Sequence, residues 1–180
     1  MLILETERLR LRTWKDEDLF FLIKMNQDPR VMEYFPSLIG PKETELFVKK
    51  IEEHFKRKGY SLYAVERKDQ GAFIGFIGFL DTQFQAPFTP ATEIGWQLSF
   101  EHWNQGFATD GAKALIEYGF SHLMLKEIVS FTTAQNIRSI RVMEKLGMRR
   151  DLKGDFHHPK IDHASPLSKH LLYRLKTKSF

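Results

Sequence analysis

A chain of 180 residues, 42% of them hydrophobic and 13% aromatic, is long enough to bury one sizeable core and too apolar to stay disordered. It has no cysteine, which excludes disulfides, thiolate metal clusters and a cysteine nucleophile, and which suits a reducing compartment. Lys plus Arg number 27 against 23 Asp plus Glu, a formal charge of +4 that favours an anionic ligand but is too small to argue for nucleic acid.

The opening residues, MLILETERLRLR, carry charge from residue 5 and lack the continuous apolar stretch of a secretory signal. No later run is long enough to span a membrane, so a cytoplasmic location is expected. Leu9 and Leu11 alternate with Arg8, Arg10 and Arg12, which predicts one half-buried strand over residues 2–12. A helix should follow, capped by Asp16 or Asp18 and packing through Leu19, Phe20, Leu22, Ile23 and Met25 until Asp28-Pro29 interrupts it. Tyr34-Phe35-Pro36 reads as a loop whose aromatics sit at the core edge or on a substrate wall. Gly40-Pro41 opens a second helix with an inner stripe of Phe47, Val48, Ile51 and Phe55, and Gly59 closes it. Its lysine-rich outer face reads as solvated surface.

Residues 60–66 and 72–80 read as a hairpin turning at 67–71. Gly71, Gly75 and Gly78 resemble a nucleotide loop, but no helix follows them and the dinucleotide reading fails its context. A loop at 81–92, with Pro87 and Pro90, leads to a strand at 93–98 whose internal Gly95 predicts a bulge or a close backbone approach. Next come Asn104, Gln105, Gly106, Phe107, Ala108 and Thr109, where small residues at 106 and 108 leave backbone N–H groups open at a helix start; such a nest suits a phosphate. From Ala108 that helix buries Ala112, Leu115, Ile116, Phe120 and Leu123. Residues 127–133 form a β-branched strand. Asn136 caps a helix carrying Ile137, Ile140, Met143 and Leu146, which Gly147 ends. Strands near 148–152 and at 171–175 flank a polar, His-rich segment at 154–170. The spacing of His157, His158 and His163 does not place three ligands on one scaffold, so no metal is expected. No linker or repeat divides the chain, and residues 1–180 read as a single domain.

Several short motifs then occur in one order. They are residues 5–12 (ETERLRLR), 73–78 (FIGFIG), 93–96 (EIGW), 103–109 (WNQGFAT), 136–139 (NIRS), 143–148 (MEKLGM), 156–159 (FHHP) and 170–173 (HLLY). Together they resemble the GNAT superfamily of acyl-CoA-dependent N-acetyltransferases, in the branch similar to the ribosomal-protein N-terminal (alanine/serine) acetyltransferases. The resemblance implies an α/β (α+β) fold with a mixed, mostly antiparallel sheet of about seven strands, splayed in the middle and flanked by about four helices. It implies acetyl-CoA as cosubstrate, with pantetheine between the strands at 93–98 and 127–133, against Trp96 and Leu98. The pyrophosphate would rest on the amides of Gln105, Gly106, Phe107, Ala108 and Thr109. Asn136 and Ser139 would lie beside pantetheine and the thioester sulfur. Arg138 or Arg141 would meet the 3′-phosphate, or else remain surface helix charges.

Two positions depart from the common pattern. Trp103 stands where many members carry Arg or Gln, as this branch often does. Met143 stands where many carry a tyrosine acid, and a thioether has no proton to give, so the acid role passes by resemblance to Ser139. Without cysteine or a G-x-S-x-G elbow, direct attack of a neutral amine on the thioester is the simpler scheme. Glu93 is the leading general base, acting through water, with pairing to an arginine as its other reading. Asp155, His158 and Asp162 are alternative bases, and His170 reads as a core histidine. A backbone N–H near Leu98 or Ser99, in a bulged strand, would meet the oxyanion.

The expected activity is acetyl transfer from acetyl-CoA to a primary amine, of a protein N-terminus or a small molecule; a non-catalytic acyl-CoA-binding module is the alternative. Neither nucleic acid nor membrane is expected as a partner, and the chain is expected to be a monomer or homodimer. The loops at 28–40, 81–92 and 154–170 are expected to choose the acceptor.

Overall fold

Thr6 breaks the opening segment in two. Its hydroxyl accepts the N–H groups of Arg8 and Leu9 at 3.1 and 2.9 Å, a local turn that folds the chain back on itself. The one strand expected over 2–12 is therefore a hairpin of β1, Leu2–Glu5, and β2, Leu9–Arg12. The computed structural model describes residues 1–177. The elements that follow are α1 (Asp16–Asn26), α2 (Pro41–Lys58), β3 (Leu62–Arg67), β4 (Ala72–Asp81), β5 (Thr92–Leu98), α3 (Phe107–Ser121), β6 (Glu127–Thr133), α4 (Ile137–Lys145), β7 (Arg149–His157) and β8 (Lys169–Lys176).

Among the described residues the sheet has eight strands in the order β1-β2-β3-β4-β5-β6-β8-β7. The split first strand accounts for the excess over seven. Every neighbouring pair is antiparallel except β5 and β6, which are parallel because α3 carries the chain across between them. Leu9, Leu11, Val65, Ile77, Phe79 and Leu98 pack with Ala112, Leu115 and Ile116 of α3. A second cluster joins Leu22, Met25 and Ile51 of α1 and α2 to Leu62 and Phe76.

Where helical faces differ from expectation, the tertiary contacts decide. Leu22 and Met25 are buried, but Phe20 is 57% exposed, because the face of α1 turned to the sheet runs through Asp18, Leu22 and Met25. Ile137 of α4 is likewise 50% exposed while Met143 is fully buried. The N-cap of α1 is Lys15 rather than an aspartate; Asp18 acts from the third helical position, accepting the Lys15 N–H at 2.8 Å. Gly95 makes no bulge, since β5 pairs with β4 through seven registers without a shift. The close approaches belong to Gly75, at φ +139°, where a Cβ would lie 2.2 Å from the Gln97 carbonyl oxygen, and to Gly78, 2.2 Å from that of Ser61; the bulge is in β4 beside Gly75, where Ile74 is the extra residue between the Val65–Gly75 and Glu66–Phe73 pairs. β7 extends to His157, so the polar segment keeps only residues 158–168 as loop.

α1 is fastened to the sheet by ions. Arg12 grips Asp18 through two bonds of 2.6 and 2.9 Å and Glu66 through one of 3.0 Å, with all three side chains at most 10% exposed. Burial raises the Glu66 carboxyl, but Arg12 and Arg10 outweigh it and hold it below the usual carboxylate range. Arg12→Ala leaves the enclosed Asp18 without a cation and Glu66 with only Arg10 and the more distant Lys15, and should lower unfolding stability by about 3–5 kcal/mol. Urea denaturation of the variant beside wild type measures this; a loss within error would show that the cluster contributes nothing net.

Candidate active site

β5 and β6 touch through a single residue pair, Glu93 with Val129, and then part. The Ser99 N–H bonds the Ile74 carbonyl at 2.9 Å, so odd-numbered residues of β5 face β4. By the alternation of an antiparallel ladder, the N–H groups of Trp96 and Leu98 point into the gap. There they have no strand partner among the described residues. The gap opens into a cleft of about 1180 Å³ that collects Glu93, Trp96, Leu98, Ser130, Thr132 and Ser139 on its walls.

At the end of β5 the chain turns through Asn104, at φ +59°, and Gly106, at φ +80°. The left-handed Gly106 is the N-cap of α3 and supplies no side-chain cap. The first amide bonded back into the helix is that of Asp110, to the Gly106 carbonyl at 2.9 Å. The N–H groups of Phe107, Ala108 and Thr109 are thus left at the positive end of the helix dipole, beside the cleft that these residues line. The helix begins at Phe107, one residue before expectation. Gln105 is turned away: its side chain bonds the Glu101 carbonyl and its own carbonyl accepts from Arg8 at 2.9 Å. Arg8, unforeseen in this role, underpins the loop, reaching Asp110 at 3.3 Å and lying 4.7 Å from the Phe107 ring centroid. Only its place in an alternating strand was legible, and a strand arginine reads as surface charge.

Glu93 stands apart from the other carboxylates. It has neither ion pair nor hydrogen bond among the described residues, so the reading as an arginine partner is corrected. Burial alone pushes its carboxyl up to about 8. The rival bases are otherwise engaged. Asp155 is held by Arg150 at 3.2 and 2.5 Å, and Asp162 accepts the Ala164 N–H in the loop after β7. Burial pushes His158 down to about 4, and its Nδ1 accepts the Lys160 N–H at 3.2 Å, which leaves the ring proton on Nε2. His170 packs at 9% exposure against Phe131 and Phe156, as a core histidine. His157 and His163 stack on each other at 3.8 Å, away from His158.

Asn136 caps α4 as expected, accepting the Ser139 N–H at 3.2 Å while its amide donates to Thr132. Ser139 is half-buried in the first turn of α4 and lines the cleft. Arg138 crosses the cleft mouth instead of standing free, bonding Glu33 at 2.5 Å and lying 4.5 Å from the Trp103 centroid. Arg141 and Lys145, one turn apart on α4, line the cleft and are exposed. Trp103 donates from its indole to the Leu98 carbonyl at 2.7 Å, closing the base of the gap. The expected oxyanion donor narrows accordingly: Ser99 N–H is spent on Ile74, and β5 carries no bulge.

The profile of the acetyltransferase (GNAT) domain family matches residues 8–149. The chain belongs to that family. The uncharacterized protein YkkB of Bacillus subtilis is 34% identical over 148 residues, 81% of this chain and 84% of that one. The solved GNAT-family acetyltransferase from Bacillus anthracis superposes with a TM-score of 0.78 at 29% identity, covering 98% of both chains. RimL, a ribosomal L7/L12 α-N-protein acetyltransferase solved with coenzyme A, shares the fold at a TM-score of 0.77 and 17% identity, covering 98% of both chains.

As a GNAT member the chain is an acetyl-CoA-dependent N-acetyltransferase. Its residues fit that cosubstrate. Trp96 and Leu98 offer unpaired strand amides to a pantetheine arm, Phe107 to Thr109 offer helix-start amides to a pyrophosphate, and Arg141 offers a cation. Gly106→Val places a β-branched residue at φ +80°, where only glycine is unstrained, and should distort this loop. Calorimetric titration with CoA should show affinity reduced about tenfold or more, with the fold intact by circular dichroism. Unchanged affinity would remove the loop from the phosphate site.

Proposed function

We propose that the protein transfers acetyl from acetyl-CoA directly to a neutral primary amine, with Glu93 as general base through a water and Ser139 as proton donor to the leaving thiolate. The observation that carries this is the isolated carboxyl of Glu93, set where β5 and β6 begin to part. A base poised near 8 matches an α-amine of about 8 better than a lysine of about 10.4. Glu93 accepts the ammonium proton through the water, the freed amine attacks the thioester carbonyl, and the Leu98 N–H, aimed into the gap, meets the charge that develops on oxygen. As the C–S bond breaks, Ser139 gives its hydroxyl proton to the departing sulfur and recovers one from the acylated nitrogen, which sheds its extra proton to become the neutral amide. The amine acceptor is a protein N-terminus or a small-molecule amine. The ribosomal-protein branch is supported by the motif order and by the fold shared with the L7/L12 enzyme. A binding module without turnover has less support, because Glu93 and Ser139 both open on one cleft.

The sign of the pH dependence follows from the raised carboxyl. A base works unprotonated, so kcat/KM should climb with pH through about 8, and Glu93→Gln should lower the plateau about 10² to 10⁴-fold while abolishing the Glu93 part of that limb. Stability runs the other way. Between the unfolded carboxyl near 4.5 and the folded one near 8, the native state keeps a proton the unfolded chain has released, so stability falls as pH rises across that window. Thermal melts from pH 5 to 9 should show a shallower decline in Glu93→Gln, and equal slopes in the two proteins would refute the buried neutral acid.

Ser139→Ala should lower kcat with CoA affinity within twofold or so of wild type, since the serine is asked to act on sulfur only as the bond breaks. A wild-type kcat, read by thiol release, would take the acid role away from it.

A further inference from the structure

The wall of the cleft away from the nucleotide loop is apolar and largely aromatic. Phe35, Leu38 and Ile39 from the α1–α2 connection, Phe47 from α2, and Phe84 and Phe131 all line it. Phe35 and Leu38 are 44% and 51% exposed, so apolar surface stands open on a cleft wall where a ligand would cover it. Phe84 and Phe131 belong to a packed aromatic cluster. Phe84 lies 5.8 Å from Phe131 and stacks on Phe156 at 5.7 Å, with the His158 ring 4.9 Å away. Burial keeps that imidazole neutral, so it adds no charge to the wall.

Charge points the same way. The carboxylates lining the cleft are Glu43, Asp81 and Glu93. Asp81 is occupied by Lys58 at 2.7 Å and the Tyr60 hydroxyl at 2.6 Å, and Glu93 is the base itself. Arg138, Arg141, Lys145 and Lys160 line the same cleft; Arg138 is paired with Glu33 and Arg141 is the cation offered to CoA, which leaves Lys145 and Lys160 as uncompensated positive charge among the described residues. A polyamine or aminoglycoside would bring further ammonium groups to a surface with one unoccupied carboxylate, Glu43, at the exposed start of α2.

We propose that the acceptor is a primary amine borne next to an apolar or aromatic group, without a second cationic charge. An arylalkylamine and the N-terminus of a peptide beginning with a large apolar residue share this chemistry. The proposal rests on the acetyl-transfer reading above and specifies which amine that reaction takes.

The test is thiol release from acetyl-CoA with four acceptors: 2-phenylethylamine, a short uncharged peptide amide beginning with Phe, spermidine and kanamycin. One of the first two should exceed both polycations in kcat/KM by about tenfold or more. The peptide leading assigns a protein N-terminus, and the phenylethylamine leading assigns a free amine; either supports the proposal. Phe35→Ala, at an exposed position, should reduce kcat/KM for the preferred acceptor about five- to tenfold, mainly through KM, with CoA affinity unchanged. Leu38→Glu should narrow the gap to spermidine. Preference for spermidine or kanamycin, or full activity of Phe35→Ala on the aromatic acceptors, overturns the acceptor proposal and leaves acetyl transfer standing. Calorimetric CoA binding with no thiol release for any amine removes the transfer reading, and the proposal with it.

Discussion

Two parallel strands that meet at one residue pair and then separate impose the constraint from which the rest of the site follows. Had β5 and β6 zipped along their length, the N–H groups of Trp96 and Leu98 would have been consumed by the sheet, and Ser130 and Thr132 would have been walled off. An open gap in a sheet normally leaves polar backbone exposed at a cost, and a strand-like ligand arm is the natural partner for it. The same separation places the start of α3 at the mouth of the gap. Gly106 is left-handed there because a chain leaving β5 must turn sharply to start the crossover helix. Arg8 and Asp110 then hold the turn from beneath, so the open amides of Phe107 to Thr109 sit on a fixed frame.

The carboxylates divide into two populations with opposite physics. Asp18, Glu66, Asp81 and Asp151 are each bound by a cation, and these pairs fasten α1, α2 and β7 to their neighbours. Glu93 has burial without a partner. That environment favours the neutral acid. The paired set supplies rigidity; the unpaired one is what suits Glu93 to the proposed role of base. Because Arg12 ties α1 to β2 and β3, it also steadies the start of the connection that carries Phe35 and Leu38 to the cleft.

The elements themselves were legible because their signals are local. The alternation of β2, the apolar stripes of α2 and α3, the Asn136 cap and the glycines at 59, 106 and 147 all appear where the spacing put them. The motif order gave the family. Less local features were misread: Thr6 splits a strand through a side-chain bond, and Phe20 and Ile137 look identical in sequence to residues that are buried. Gly95 and Gly75 carry the same signature, yet only Gly75 lies against the backbone of the next strand.

By itself, then, the sequence determined a single α/β chain of GNAT type, a helix-start nest at Gly106 and a short roster of acids and bases. Only the tertiary structure decided which of those acids is alone. Asp155 finds Arg150 and His158 finds an aromatic wall, while Glu93 finds neither cation nor donor. A carboxyl's proton affinity depends on what surrounds it within a few ångströms, and which neighbours it meets, whether five residues away as for Asp155 or from distant strands and loops, is set only when the sheet is assembled. The same reason explains Arg8, whose partners at 105 and 110 lie nearly a hundred residues away.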